Sequence, residues 1–412
     1  LGGLSYPGEL PIKLIKDPVH GYIEVSSEEL QVVDTRAVQR LRRISQLPFV
    51  YLVYPGARHS RFDHSLGCMH LAGEFARSLG LEEYRVRVLR IAGLLHDIGH
   101  TPYSHLFETM LERAGLSHED VTARILREDS ELAEAIERCG IMLKDVLEVL
   151  EGRAPESMVI SGPIDADKLD FLVRDSYFTG APYGLIDVRR IVLRSRLVDG
   201  RLAININAVG AVEEMALARY QNFMNIYLHH TARAAQMLFL SGAKLLDEVA
   251  SLPRMSVEEY LGHDDYTIWC LMKSNNKTRW IIDRIERRII PKVAYELRLR
   301  EEEVPAEVLR NPEEVLGDIS SLSSAPEDRI WLDTPYITSL PFRDSGKISF
   351  YEERHGEPRT VEYSSPLLEF TSRMHVIIRV YTDPPFIEQV RAASEKYFGE
   401  RIEAASRRLC DK

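Results

Sequence analysis

Between Ile91 and His105 the chain reads Ile-Ala-Gly-Leu-Leu-His96-Asp97-Ile-Gly-His100-Thr-Pro-Tyr-Ser-His105, an otherwise apolar helical stretch into which one carboxylate and three imidazoles are set. A lone carboxylate buried in such surroundings would be costly, so the chain has to fold in a way that brings partners to the His-Asp pair. A metal ion that the pair helps to coordinate is the economical solution. The doublet alone carries little weight, because His263-Asp264 is a second one that sits between Gly262 and Asp265 in a polar stretch.

At 412 residues the chain is long enough for a large core with a smaller region appended. Its 45% hydrophobic and 28% charged residues are those of an ordinary globular protein. No apolar run approaches a bilayer span. The opening Leu-Gly-Gly-Leu-Ser-Tyr-Pro lacks the basic-then-apolar pattern of a secretory leader, so the cytoplasm is the expected compartment. Cys68, Cys139, Cys270 and Cys410 form no Cys-x-x-Cys pair, which leaves a metal to rest on His and carboxylate. A net charge of −11 argues against general affinity for nucleic acid, and an anionic substrate therefore needs local cations.

From Asp34 to about Gly152 the apolar spacing predicts a succession of amphipathic helices. Gly99 and Pro102 interrupt the helix that carries the doublet, and Gly115 follows a helix over residues 104–114. Ser117-His118-Glu119-Asp120 then reads as an N-cap and first turn. Asp165 to Asp175 continues helically until Gly180 and Pro182. Asp199-Gly200 marks a hairpin within residues 191–206, and residues 208–246 read as long and helical. A basic helix over 277–299 follows, then an acidic connector. Between 330 and 382 come β-branched and aromatic runs, such as Lys347 to Tyr351 and His375 to Tyr381. The expected fold is mainly α, with a helical core over 1–250 and a smaller α+β appendage over 251–412 that serves assembly or packing.

Arg61-Phe62-Asp63-His64-Ser65-Leu66-Gly67 places His64 at the start of one helix, and Asp165-Ala166-Asp167-Lys168 places carboxylates at the start of another. With His96 and Asp97 they offer two imidazoles and two carboxylates from three helices, a donor set suited to a divalent ion with open positions. Mn, Fe, Mg and Zn are all compatible with it, and each lowers the pKa of a bound water.

The ordered set His64, His96-Asp97, Asp167 resembles the motif of the HD-domain metal-dependent phosphohydrolases, with a motif region at about 60–175. Within that superfamily the chain looks most like the deoxynucleoside triphosphate triphosphohydrolases, including those that carry a sterile alpha motif beside the HD domain. The similar stretch covers residues 13–246 and includes Asp17-Pro-Val-His20-Gly, Gln39-Arg-Leu-Arg and Leu95-His-Asp-Ile-Gly-His. The resemblance implies a helical HD core and one divalent metal on His64, His96, Asp97 and Asp167, with Asp165 the competing fourth ligand. It also implies that water attacks the α-phosphorus and that the deoxynucleoside leaves through its 5′ oxygen. His100, His105 and His118 would face the phosphates, and His105 with Glu108 would deliver a proton to the leaving oxygen. Arg61, Lys168 and Arg219 would be the phosphate cations. Gln46, Leu47, Asp175 and Tyr227 would read the sugar, with the aromatic wall excluding a 2′-hydroxyl. Phe171 departs from the pattern, since relatives carry Tyr there. Lys13, Asp34, Gln39 and Arg42 match an activating GTP or dGTP site, which implies a homo-oligomer, dimer or tetramer; Lys16 departs from that site.

Plainer readings exist for several of these residues. His118 is also simply a helix N-terminal residue. Tyr227, at helical spacing from Phe223, reads as core, and Arg219 with Glu213 or Glu214 as a surface pair. His229 and His230 match no metal position and read as surface or inter-helix residues. The Lys277 to Lys292 cluster is a solvated face or a nucleic-acid surface. The alternatives to deoxynucleotide hydrolysis are an HD phosphohydrolase of monophosphates or cyclic nucleotides, and a non-catalytic nucleotide- or nucleic-acid-binding module.

Overall fold

The computed structural model describes residues 12–300, 304, 308, 311–334, 348–363, 365–372 and 375–410. The first residues and Lys347, at the head of one expected β run, lie outside them. The described residues open with an antiparallel hairpin, β1 (Ile12–Asp17) and β2 (Gly21–Ser26). The Asp17 carboxylate closes its turn by accepting from the amides of Val19 and His20 at 2.9 and 2.7 Å. Ser26 and Glu29 then form a capping box that starts α1 (Ser27–Val33).

The expected helical succession follows: α2 (Arg36–Arg40), α3 (Arg61–Ser78), α4 (Glu83–Leu95), α5 (His118–Glu128) and α6 (Ala166–Thr179). Packed between α4 and α6, α3 buries Phe62, Leu66, Met69 and Phe75 at helical spacing. The predicted hairpin is present as β3 (Ser195–Val198) and β4 (Arg201–Asn205). Asp199 and Gly200 have φ of +51° and +73°, the left-handed pair that a two-residue turn between twisted strands requires.

Three helical expectations are corrected. Residues 104–114 form a 3₁₀ turn, Ser104–Leu106, and a separate helix, Glu108–Arg113: Tyr103 and Ser104 take left-handed φ of +56° and +53°, and Phe107, at φ −100° and ψ 2°, parts the two elements. Residues 208–246 split into α7 (Val209–Asn222) and α8 (His230–Ala243), parted by a π-helical turn over Phe223–Tyr227 and by His229, whose Nδ1 caps α8. The basic helix stops early. After α9 (Asp265–Ser274), α10 (Arg279–Glu286) ends at Glu286, and Lys292–Arg300 is strand β5, where Tyr295, Leu297 and Leu299 alternate with charged residues at the period of a strand.

The main core runs past residue 250. Ile268, Met272, Ile281 and Ile285 of α9 and α10 are buried in the same cluster as Phe239 of α8. Strand β7 (Ser349–Arg354) pairs parallel with β4, so a four-stranded sheet β3-β4-β7-β8, with β8 at Glu357–Val361, joins the two regions. A second core lies around the antiparallel sheet β5-β9-β6, in which β6 is Ile330–Asp333 and β9 is His375–Thr382. It is covered by α11 (Pro312–Ser323) and α12 (Ile387–Cys410). The fold is thus mainly helical with a smaller sheet-containing C-terminal region. Among the described residues no helix is long and apolar enough to cross a membrane.

The hairpin and α1 are tied to α4 by Arg90, which is buried and donates to both Glu29 oxygens at 2.5 and 3.1 Å and to the Glu24 carbonyl at 2.6 Å. Replacing Glu29 with Ala strands the guanidinium and is expected to destabilise the protein by about 3–5 kcal/mol in urea unfolding. A loss below about 1 kcal/mol, the level of an exposed pair, would contradict this packing.

Candidate metal centre

Three chain segments meet at one point: the first turn of α3 with His64, the end of α4 with His96 at its C-cap and Asp97 next, and the first turn of α6 with Asp167. His64 Nε2 lies 3.1 Å from Asp167 Oδ1 and 3.6 Å from Asp97 Oδ2. His96 Nε2 lies 3.3 Å from Asp97 Oδ1 and 3.7 Å from Asp167 Oδ1. Behind each ring sits an acceptor: Asp170 Oδ2 is 2.8 Å from His64 Nδ1, and the Gly93 carbonyl is 2.8 Å from His96 Nδ1. Such backing places the ring proton on Nδ1 and leaves the Nε2 lone pairs aimed into the cluster. His96 Nε2 is buried and makes no hydrogen bond there. Two imidazole lone pairs, one of them orphaned, facing two carboxylates are a donor set that fits a divalent ion.

Asp165 is engaged elsewhere. As the N-cap of α6 it accepts from the Lys168 amide at 2.7 Å, the Gly162 amide at 2.9 Å and the Lys168 ammonium at 2.6 Å. Asp167, two residues on, turns its carboxylate to the imidazoles. The His263-Asp264 doublet is also a cap: Asp264 starts α9 by accepting from the Thr267 amide and holds Arg43.

Sequence reasoning passed over the support of this centre. Asp170 also accepts from His20 at 2.6 Å and from Arg174 at 2.8 and 2.9 Å, and Arg174 reaches Asp17 at 2.8 Å. Burial works against ionisation of Asp170, but the Arg174 guanidinium and the imidazole hydrogen bonds hold its carboxyl well below the usual range. The signal was present as helical spacing, since Asp167, Asp170 and Arg174 share one face of α6. Gly67 faces them across α3, where a Cβ would lie 1.8 Å from Asp170 Oδ1. Cys68, one turn after His64, is buried with Sγ 3.5 and 3.6 Å from the two ring nitrogens, so it lies over the imidazole rather than along the Nε2 lone pair. Burial pushes its thiol pKa up.

Beside the cluster, His100 Nε2 is 3.2 Å from Asp97 Oδ1, and its ring stacks on His118 with centroids 4.0 Å apart. Glu108 bridges His118 and exposed His105, with 2.5 Å to each Nδ1. Burial opposes ionisation of Glu108, yet these two hydrogen bonds hold its carboxyl far below the usual range. Arg61 is buried with Nη1 2.5 Å from Asp97 and Nε 2.7 Å from Ser104 Oγ. Lys168 rests on Asp165, and Arg219 is buried near Tyr227.

On the other side, Asp175 accepts from Tyr227 at 2.6 Å and from His59 at 2.7 Å, and His59 stacks on Phe178. His59 was not singled out from the sequence. Leu47 packs in the same small cluster as Tyr227, while Gln46 Oε1 is buried without a hydrogen bond. Phe171 lies 6.4 Å from the Tyr227 ring and 6.5 Å from His64. Of the residues matched to an activator site, Gln39 donates to the Val33 carbonyl, and Arg42 both donates to Gln39 and covers the Phe62 ring at 3.5 Å. Asp34 at the end of α1 and Lys13 on β1 are exposed. His229 and His230 stack on each other at 4.5 Å.

The chain matches the model of the HD domain over residues 61–159 and that of the HD associated region over residues 186–409, the latter more than half of its length. It belongs to the HD-domain phosphohydrolase superfamily. This HD-domain protein is 32% identical over 281 residues to an uncharacterized protein of Methanocaldococcus jannaschii, covering 67% of this chain and 58% of that one. It is 28% identical over 319 residues to the deoxynucleoside triphosphate triphosphohydrolase SAMHD1 homolog of Dictyostelium discoideum, covering 71% and 62%. The crystal structure of a hypothetical protein from Aquifex aeolicus matches with a TM-score of 0.74 at 26% identity, covering 93% of this chain and 100% of that one. The chain spans less than two thirds of the length of these two curated relatives.

Removing the acceptor behind His64 frees its ring to turn. Asp170→Ala is expected to weaken Mn²⁺ binding roughly 10- to 100-fold by titration calorimetry, and an unchanged affinity in the folded variant would contradict the support role.

Proposed function

We propose that this HD-domain protein hydrolyses deoxynucleoside triphosphates to deoxynucleoside and inorganic triphosphate. The observation that carries the reading is the convergence of His64, His96, Asp97 and Asp167, with the Glu108-bridged imidazoles linked to it through His100. The name of the Dictyostelium relative supports the substrate class. A divalent ion held by these four residues would supply an activated water and neutralise phosphate charge.

The remaining steps belong to the chain. Arg61 holds Asp97 in place, and His100 and His118 line the path of the phosphates. Glu108 takes the Nδ1 side of His105 and His118, which leaves one Nε2 proton of this pair to be given to the departing 5′ oxygen as the bond to the α-phosphorus breaks. Lys168 and Arg219 lend positive charge. Asp175, fixed by His59 and Tyr227, accepts from a sugar hydroxyl, and Tyr227 with Leu47 and Gln46 closes the side where a 2′-hydroxyl would lie. Guanine nucleotide at Lys13, Asp34, Gln39 and Arg42, the assembly of subunits as a dimer or tetramer, and a cytoplasmic location belong to the same proposal. Exposed Asp34 can accept from the guanine N1 and N2 donors. Phe171, which brings no hydroxyl to the cleft, favours a second reading in which the same centre opens a nucleoside monophosphate or cyclic nucleotide.

The test is a panel of dNTPs with Mn²⁺, with and without GTP, resolved for products by chromatography. Deoxynucleoside plus intact triphosphate is expected; orthophosphate or pyrophosphate would overturn the proposal. Burial lowers the His118 pKa, but its hydrogen bond to Glu108 and the charges of Glu119, Glu108 and Asp97 together outweigh this and raise it. Activity that depends on the imidazolium is therefore lost as pH rises through that raised value. Glu108→Gln is expected to shift this alkaline limb to lower pH and to reduce kcat by roughly 10²- to 10⁴-fold. A limb that does not move assigns the proton donor elsewhere.

A further inference from the structure

Asp265, the first residue of α9, lies far from the HD motif in sequence and touches both loops that flank the metal ligands. Its Oδ2 accepts from the Ser45 amide at 2.9 Å and its Oδ1 from the Tyr103 amide at 2.6 Å, while the Tyr103 hydroxyl donates to the Asp265 carbonyl at 2.9 Å. Ser104, next to Tyr103, joins the two loops: its hydroxyl donates to the Ser45 carbonyl at 2.6 Å and accepts from Arg61 Nε at 2.7 Å. Arg61 in turn reaches Asp97. A left-handed conformation in a non-glycine residue costs about 1–2 kcal/mol, and Tyr103 and Ser104 adopt it consecutively. The surroundings must hold them there. Stacking of Tyr103 on Phe49, with centroids 5.5 Å apart, and the two bonds to Asp265 do so.

We infer that Asp265 is a positioning residue: by pinning the Ser45 and Tyr103 amides it places Ser104 so that Arg61 holds Asp97 in register with the other metal ligands. The role rests on the metal reading above. A carboxylate suits it because two amides need two acceptor oxygens. An asparagine offers one oxygen and turns its NH₂ towards the other amide. Asp264 beside it has a different task, capping α9 and holding Arg43, and so supplies the control.

The experiment uses the full chain with Asp265→Asn, Asp264→Asn and Ser104→Ala, read by hydrogen exchange over residues 44–48 and 101–106 and by Mn²⁺ titration. Asp265→Asn is expected to raise exchange at both loops by roughly tenfold or more while α9 stays protected. It should also weaken Mn²⁺ roughly 10- to 100-fold. Asp264→Asn should leave both readouts at the wild-type values. Wild-type exchange at the loops, or wild-type Mn²⁺ affinity, in Asp265→Asn overturns the inference. If Asp265→Asn does not fold, Ser104→Ala decides, because it cuts the relay without touching α9, and unchanged Mn²⁺ affinity there overturns it. A wild-type protein that binds Mn²⁺ but cleaves no deoxynucleotide defeats the substrate reading alone, and the exchange and affinity readouts still decide the role of Asp265.

Discussion

The hydrogen bond between His64 Nδ1 and Asp170, 2.8 Å long and fully buried, is the constraint from which much of the molecule follows. A carboxylate in that position is tolerable only if its charge is matched, and Arg174 matches it while His20 satisfies one of its oxygens. Arg174 still has a donor for Asp17, whose other oxygen closes the turn of the N-terminal hairpin. Gly67 has to be a glycine for the carboxylate to sit against α3. One ligand orientation thereby ties the hairpin, α3 and α6 into a single charged unit inside an apolar protein. A hydrophobic replacement could be as stable, but it could not hold an imidazole with its Nε2 lone pair facing the other ligands.

The C-terminal region is built into this arrangement rather than hung beside it. α9 supplies Asp265 to the loops of Ser45 and Tyr103 beside the candidate metal centre. From β6, Asp333 holds Arg233, which orders Gln236, and Gln236 donates to the Pro48 carbonyl at 2.8 Å. The segment that carries Gln46 and Leu47 is therefore fixed near both ends by residues that belong to, or are held by, that region. The parallel pairing of β4 with β7 makes a third connection.

Much of the frame was legible because it depends on local chemistry. Ser117 caps α5, Asp199-Gly200 turns the hairpin, and the doublet with His64 and Asp167 is brought to one place by helices whose apolar faces are plain. What was not legible depends on contacts distant in sequence. Asp170 meets His64 across 106 positions and Asp265 meets Tyr103 across 162; helical spacing places Asp170 on the face of Asp167, but no local pattern pairs it with His64 or Asp265 with Tyr103. Asp165 and Asp167 are equivalent as sequence; only the three donors gathered on Asp165 tell them apart. The helix expected over 208–246 failed because a π-turn leaves composition unchanged while re-aiming Tyr227 at Asp175. The helix over 277–299 failed because the basic charge of Lys292 to Arg300 masked a period of two.

The central claim, that two imidazoles and two carboxylates hold one divalent ion, is tested most directly by X-ray absorption on the Mn- or Fe-loaded protein. The account predicts nitrogen and oxygen scatterers, with the multiple-scattering signature of two histidines that falls to one in His96→Ala. A sulfur scatterer from Cys68, or a first shell without imidazole, would contradict it.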